Sequence, residues 1–272
     1  MRRVLWIAVA AILVAATIVG GRRWVHHAQL ELVPVIIAPG TDAQAVLAPS
    51  SGAIVARMTE DVRDALERPA RPRLAVLTFD DGPYPVESSA LVAQLAAQRV
   101  PADFFLIGDD VRTQPAIGMR IRDAGVEIGN HSLTHPEMAA LTYDRQAAEV
   151  TGGADVLRTV LGTTARYFRP PHGNYDASTL RAAWASGESV ALWDIDPGDW
   201  RSLTADEIVT LVVGQARAPA VIILHNGKDA TIDALPRIVA AYRAAGFEFV
   251  TLSELERRVP LDVINDPEKI AL

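Results

Sequence analysis

From Arg73 onward, short apolar runs alternate with longer amphipathic stretches, and this alternation constrains the fold more than any other feature of the 272-residue chain. The runs Leu74–Phe79, Asp103–Ile107, Val126–Gly129, Ala165–Phe168, Val190–Ile195, Ala220–Leu224 and Glu248–Thr251 predict strands. The stretches Ser88–Arg99, Val111–Ala124, Tyr143–Leu161, Ala177–Ser186, Ala205–Arg217 and Asp233–Ala245 predict helices between them. Strands separated by helices imply parallel pairing through crossover connections. The pattern predicts an α/β fold, a compact, distorted (β/α) barrel of about seven parallel strands, with a doubly wound open sheet as the alternative. No internal repeat or low-complexity segment interrupts it.

The first 71 residues read differently. Val4 to Gly20 carries no charge and is flanked by Arg2, Arg3, Arg22 and Arg23. As a helix it would span roughly 25 Å, enough for a thin bilayer. We expect residues 1–23 to be a signal anchor, with a cleaved signal peptide as the alternative, although the small-x-small cleavage pattern before Arg22 is poor. Residues 24–71 read as a juxtamembrane linker and small appendage, with a strand-like run at 32–38 broken by Pro34 and a helical pattern from Ala53 to Glu67. This arrangement predicts one N-terminal membrane helix ahead of the main domain, the membrane as a partner, and a cell-envelope location. The chain would then face the periplasm or the outside, anchored to the inner membrane by residues 4–20, or be secreted if the signal is cleaved. The main domain is expected at 72–258, followed by a polar tail at 259–272.

Composition narrows the function classes. Half the residues are hydrophobic and 22% are charged, which excludes disorder, collagen-like repeats and a multi-span membrane protein. A net charge of −7 argues against nucleic acid as a partner, and nothing in the residues points to a protein partner. The absence of cysteine excludes disulfides, thiolate nucleophiles and Cys-ligated zinc. A metal site would have to use His and carboxylates.

In parallel β/α folds the active site lies beyond the carboxyl ends of the strands. After the first strand comes Asp80-Asp81-Gly82-Pro83, two carboxylates that close an apolar run and need a partner or a cation. After the third comes His131-Ser132-Leu133-Thr134-His135, with two His on one face of a turn. After the fourth comes Arg169-Pro170-Pro171-His172, stiffened by its prolines. The fifth is followed by Asp196-Pro197-Gly198-Asp199-Trp200, and the sixth ends on Ile223-Leu224-His225. Each cluster alone also reads as an ordinary turn or a satisfied core side chain. Five together at one face read as an active site, and their donors suit a metal held by two His and one Asp with open positions, for which zinc is a good fit.

These five segments, in this order, resemble the motifs of the polysaccharide deacetylases, the NodB-homology group or carbohydrate esterase family 4. The resemblance covers about two thirds of the chain. It implies that Asp81, His131 and His135 hold a divalent metal, Zn²⁺ with Co²⁺ or Ni²⁺ as alternatives. It implies that Asp80 is the base acting on water, His225 the acid protonating the leaving amine, Asp199 the partner that raises the pKa of His225, and Arg169 the clamp on Asp80. Trp200, Pro171 and His172 would shape the substrate pocket, the backbone N–H of His172 meeting the oxyanion. Two positions depart from the family pattern: His172 stands where the third motif usually has Tyr, and Ile223 where the fifth usually has Leu. The implied activity is hydrolysis of N-acetyl groups on GlcNAc-containing glycans such as peptidoglycan, chitin oligomers or poly-GlcNAc. O-deacetylation of a polysaccharide such as xylan is one alternative, and a silent glycan-binding protein on the same fold is another.

Overall fold

The computed structural model describes residues 25–26, 35–41 and 72–265. Among the described residues the strands are β1 (Val25–His26), β2 (Ile36–Ile37), β3 (Leu74–Asp80), β4 (Ala102–Leu106), β5 (Glu127–Asn130), β6 (Tyr167–Phe168), β7 (Asn174–Tyr175), β8 (Ser189–Ala191), β9 (Ala220–His225) and β10 (Glu248–Phe249). The helices are α1 (Glu87–Gln98), α2 (Gly108–Thr113), α3 (Pro115–Asp123), α4 (Tyr143–Val156), α5 (Ala177–Ala185), α6 (Ala205–Gly214), α7 (Asp229–Ala244), α8 (Leu252–Arg258) and α9 (Leu261–Ile264).

The main sheet runs β10-β3-β4-β5-β6-β8-β2, with β9 also paired to β3. Strand β3 is buried along its whole length, as expected for a central parallel strand covered on both faces. One cluster of apolar side chains packs Leu77, Phe79, Phe104 and Leu224 under the helices. A second packs Val76, Phe105, Phe168, Val190 and Ile223 on the other face.

Three expectations are corrected. First, the sheet is a curled half-barrel of mixed strands, where about seven parallel ones were expected. Strand β2 pairs antiparallel with β8, Ile36 opposite Ala191, and β1 pairs antiparallel with β7. The run at 32–38 supplies β2, which occupies an open edge of β8; the Asn265 side chain donates to and accepts from the Ile36 backbone. The chain leaves strand geometry after Ala191, and the segment that follows β8 meets β9 through a parallel bridge, Ile195 to Ile222. Second, no helix among the described residues is long and apolar enough to cross a membrane. The longest, α7, has 16 residues and carries Asp229, Asp233, Arg237 and Arg243. The described residues therefore give no support to the expected membrane helix, to the membrane as a partner or to inner-membrane anchoring, and these expectations are not carried further. The run 4–20 itself, and the helical pattern expected at 53–67, lie outside the described residues. Third, the helix expected over Val111–Ala124 is two, α2 and α3, because Pro115 lacks an N–H and disfavours helical geometry at Gln114, where φ is −124°.

Candidate functional site

The carboxyl ends of β3, β5, β6 and β9 converge on one cavity of about 340 Å³. Its lining includes Asp80, Asp81, His131, His135, His172, Trp200 and His225. Asp80 is the last residue of β3, in register with His225 at the end of β9. Asp81 follows at a positive φ of 77°, its N–H donating to the Phe105 carbonyl at 3.1 Å. Adjacent residues on an extended strand point to opposite faces; the break in strand geometry at Asp81 lets both carboxylates line the same cavity. Gly82 is also at positive φ, and a Cβ there would lie 2.8 Å from the Asn226 amide. Burial pushes the Asp81 carboxyl up to about 6; the charge of His225 opposes this and that of Asp80 adds to it.

The loop after β5 carries the two His. Ser132 and His135 both have positive φ, a conformation that non-glycine residues adopt only when held. Asn130 Oδ1 accepts from the Ser132 N–H at 3.1 Å, and Ser132 Oγ accepts from the His135 N–H at 2.9 Å. Helix α4 presses on this loop at Gly153, where a Cβ would come within 2.2 Å of Asn130 Oδ1. His131 Nδ1 lies 2.8 Å from the Arg169 carbonyl. A carbonyl can only accept, so Nδ1 carries the proton and Nε2 keeps its lone pair. Burial holds His131 and His135 down at about 3, neutral and able to bind a metal.

Asp81 Oδ1 lies 3.6 Å from His131 Nε2 and 3.3 Å from His135 Nε2. All three donor atoms fall within 4.8 Å of one another. Ligands about 2.0–2.1 Å from a tetrahedral zinc are separated by about 3.3–3.5 Å, so the donor set fits such a cation. The carbonyl behind His131 is the kind of outer partner that orients a ligating imidazole. A divalent-metal-dependent chemistry follows from this cluster.

Arg169 follows β6 and is fully buried. Its Nη1 donates to Asp80 Oδ1 and to Thr78 Oγ1, both at 2.7 Å. Nε and Nη2 donate to the carbonyls of Ala191 and Leu192 at 3.0 Å, and the guanidinium lies 4.0 Å from the centre of the Phe105 ring. All three nitrogens and four of the five N–H groups are engaged, which is how a buried ion pair becomes tolerable. Asp80 Oδ2 is left facing His131 Nε2 at 3.8 Å.

On the other side, His225 Nδ1 pairs with Asp199 Oδ1 at 2.7 Å. Burial disfavours its charge, but the hydrogen bond to Asp199 and the charges of Asp199, Asp80 and Asp81 outweigh it and push His225 up to about 9. Asp199 itself stands behind His225, nearly buried. Trp200 lines the cavity while 57% exposed, which puts it at the open end. His172, at a positive φ of 58°, packs edge-on against His135 with ring centres 4.6 Å apart. Pro171 is buried and supports the turn without lining the cavity.

The structure therefore brings all ten sequence-derived residues into or directly around one cavity. It adds Glu137, Trp193 and Asp196 to the lining. Glu137 accepts from Asn174 Nδ2 at 2.5 Å and approaches His172 Nε2 at 3.7 Å. Its signal was its place two residues after His135. Trp193, near the Arg169 guanidinium at 5.4 Å, sits in an apolar run that carries no such signal.

The family model described as polysaccharide deacetylase matches residues 67–190. The peptidoglycan-N-acetylmuramic acid deacetylase PdaC of Bacillus subtilis is 32% identical over 68% of this chain, and the match spans 39% of that longer relative. A chitooligosaccharide deacetylase of a Bradyrhizobium species is 31% identical over 67% of this chain and 90% of its own length. The solved structure of Bacillus subtilis PdaC superposes with a TM-score of 0.64 at 30% identity, covering 70% of this chain and 92% of that one. With the five strand-end motifs gathered around one metal-competent cluster, and the Bradyrhizobium relative matched along 90% of its own length, the chain belongs to the polysaccharide deacetylase family, the NodB-homology group of carbohydrate esterase family 4.

Proposed function

We propose that this chain is a metal-dependent deacetylase that hydrolyses N-acetyl groups of GlcNAc-containing glycans, of the peptidoglycan or chitooligosaccharide type for which its relatives are named, with residues 72–258 as the catalytic unit. The observation that carries the reading is the Asp81, His131 and His135 cluster with a clamped carboxylate on one side and a carboxylate-bonded imidazole on the other. Bound between those three donors, a divalent cation, zinc by the softness and number of the ligands, supplies Lewis-acid polarisation of the acetyl carbonyl and acidification of water.

The protein's own groups do the rest. Arg169 holds Asp80 Oδ1, leaving Oδ2 free to accept a proton from the attacking water. His225, with Nδ1 engaged by Asp199, presents Nε2 as the acid. Raised to about 9, it is protonated at neutral pH and gives that proton to the leaving amine nitrogen. The backbone N–H of His172 serves as an oxyanion donor; a backbone group fills this role whether the side chain is Tyr or His. Trp200 walls the open end against the sugar.

The test is acetate release from a chitooligosaccharide by the purified protein, abolished by a chelator and restored by Zn²⁺ or Co²⁺. Asp80→Asn should lower turnover about 10³-fold while metal content stays unchanged. Glycan binding without acetate release under Zn²⁺, Co²⁺ and Ni²⁺ alike would overturn the reading.

A further inference from the structure

Asp199 belongs to the fifth-strand motif, but one of the groups that holds it belongs to no motif. Its Oδ1 accepts from His225 Nδ1 at 2.7 Å. Its Oδ2 accepts from the His225 backbone N–H at 2.8 Å and from the Thr231 hydroxyl at 2.6 Å. Thr231 is fully buried and stands in the first turn of α7, the end of a helix that favours a nearby negative charge. A threonine inside a helix commonly turns its hydroxyl back to its own helix. Thr159 and Thr210 do so here, donating to the carbonyls of Asp155 and Asp206. Thr231 instead reaches a carboxylate 32 residues away.

We infer that Thr231 is a positioning residue for the proton-donating histidine: the His225 backbone N–H holds the Asp199 carboxylate in place, and the Thr231 hydroxyl on the same Oδ2 sets how much negative charge Asp199 keeps against the His225 ring. The inference rests on the deacetylase reading for its kinetic consequence. The groups that face His225 are Asp199, which bonds its ring, and Asp80, Asp81 and Asp196, which act through charge, with the neutral His131 and His135 beyond them. When His225 gives up its proton, the Asp199 charge is left unbalanced. A donor on Oδ2 stabilises that unbalanced charge more than it stabilises the ion pair. Removing the donor therefore leaves His225 holding its proton more tightly, and makes it a weaker acid.

The experiment uses the full chain loaded with Zn²⁺ and a chitooligosaccharide, comparing wild type with Thr231→Val and Thr231→Ser across pH. Thr231→Val should lower kcat about threefold, keep KM within about twofold, and move the alkaline limb of kcat upward by about half a unit. Thr231→Ser should restore both. A merely packing role predicts the opposite pattern: lost kcat with the alkaline limb unmoved or lowered, and no rescue by Ser. That result, or a Thr231→Val enzyme indistinguishable from wild type, overturns the inference. Should Thr231→Val fail to fold, Thr231→Ala is read in the same way. A ¹⁵N-histidine NMR titration of His225 gives a readout without turnover, and an upward shift in the Val variant is expected there too. A wild-type protein that releases no acetate would sink the deacetylase reading, while the NMR titration would still decide the role of Thr231.

Discussion

His131 and His225 line the same cavity and both are largely shielded from water, yet their surroundings push them in opposite directions. His131 is held down at about 3 by burial, with its Nδ1 on the Arg169 carbonyl. His225 is pushed up to about 9 because its Nδ1 meets a carboxylate and two more carboxylates face it. A carbonyl fixes a tautomer without balancing a positive charge; a carboxylate balances it. The metal side of the cavity is therefore built to present lone pairs, and the acid side to present a proton.

That contrast can be broken at several strengths. His131→Ala removes one of three donors, and bound metal and turnover should both fall to background, measured by metal analysis and acetate release. A variant that kept full metal content would show that the Asp81 cluster is not the centre. Asp199→Asn strikes the other side: metal should stay bound, kcat at neutral pH should drop about 10²-fold, and the alkaline limb should move to lower pH as His225 loses what raises it.

A smaller effect concerns the metal-free protein. His225 is raised in the folded state, so the stability it contributes is fully present below the unfolded value near 6.5 and is lost as pH rises through about 9. The melting temperature of apoprotein should fall across that window, and His225→Gln should flatten the slope; an unchanged slope would mean that His225 is not held charged. Smallest is Trp200→Ala. This exposed side chain touches neither side of the contrast, so KM should rise about fivefold with kcat and both pH limbs unchanged.

Much of what gathers around the cavity was legible in the sequence. Asp80, Asp81, His131, His135, Arg169 and His225 stand at the ends of apolar runs, and strand ends in a parallel sheet share one face. Trp193 and Glu137 were not readable as lining, and Thr231 was not readable at all. Thr231 lies ahead of Asp233, where the expected helix began, whereas α7 begins at Asp229. The fold was legible in its order of elements. It was not legible in the antiparallel addition of β2, a two-residue strand whose pairing depends on an edge elsewhere.

The order of apolar periods and the polar residues that end them are local properties, and from them the sequence alone determined the alternation of strands and helices and the donor types, while the resemblance of the five ordered motifs pointed to the family. Only the tertiary structure decided which oxygen meets which nitrogen. Arg169 reaches Asp80 across 89 positions, and Thr231 reaches Asp199 across 32. Protonation is set by such contacts and by burial, which no local pattern encodes. That is why His131, His135 and His225 could be picked out in advance, while the surroundings that hold the first two down and push His225 up appeared only once the chain was folded.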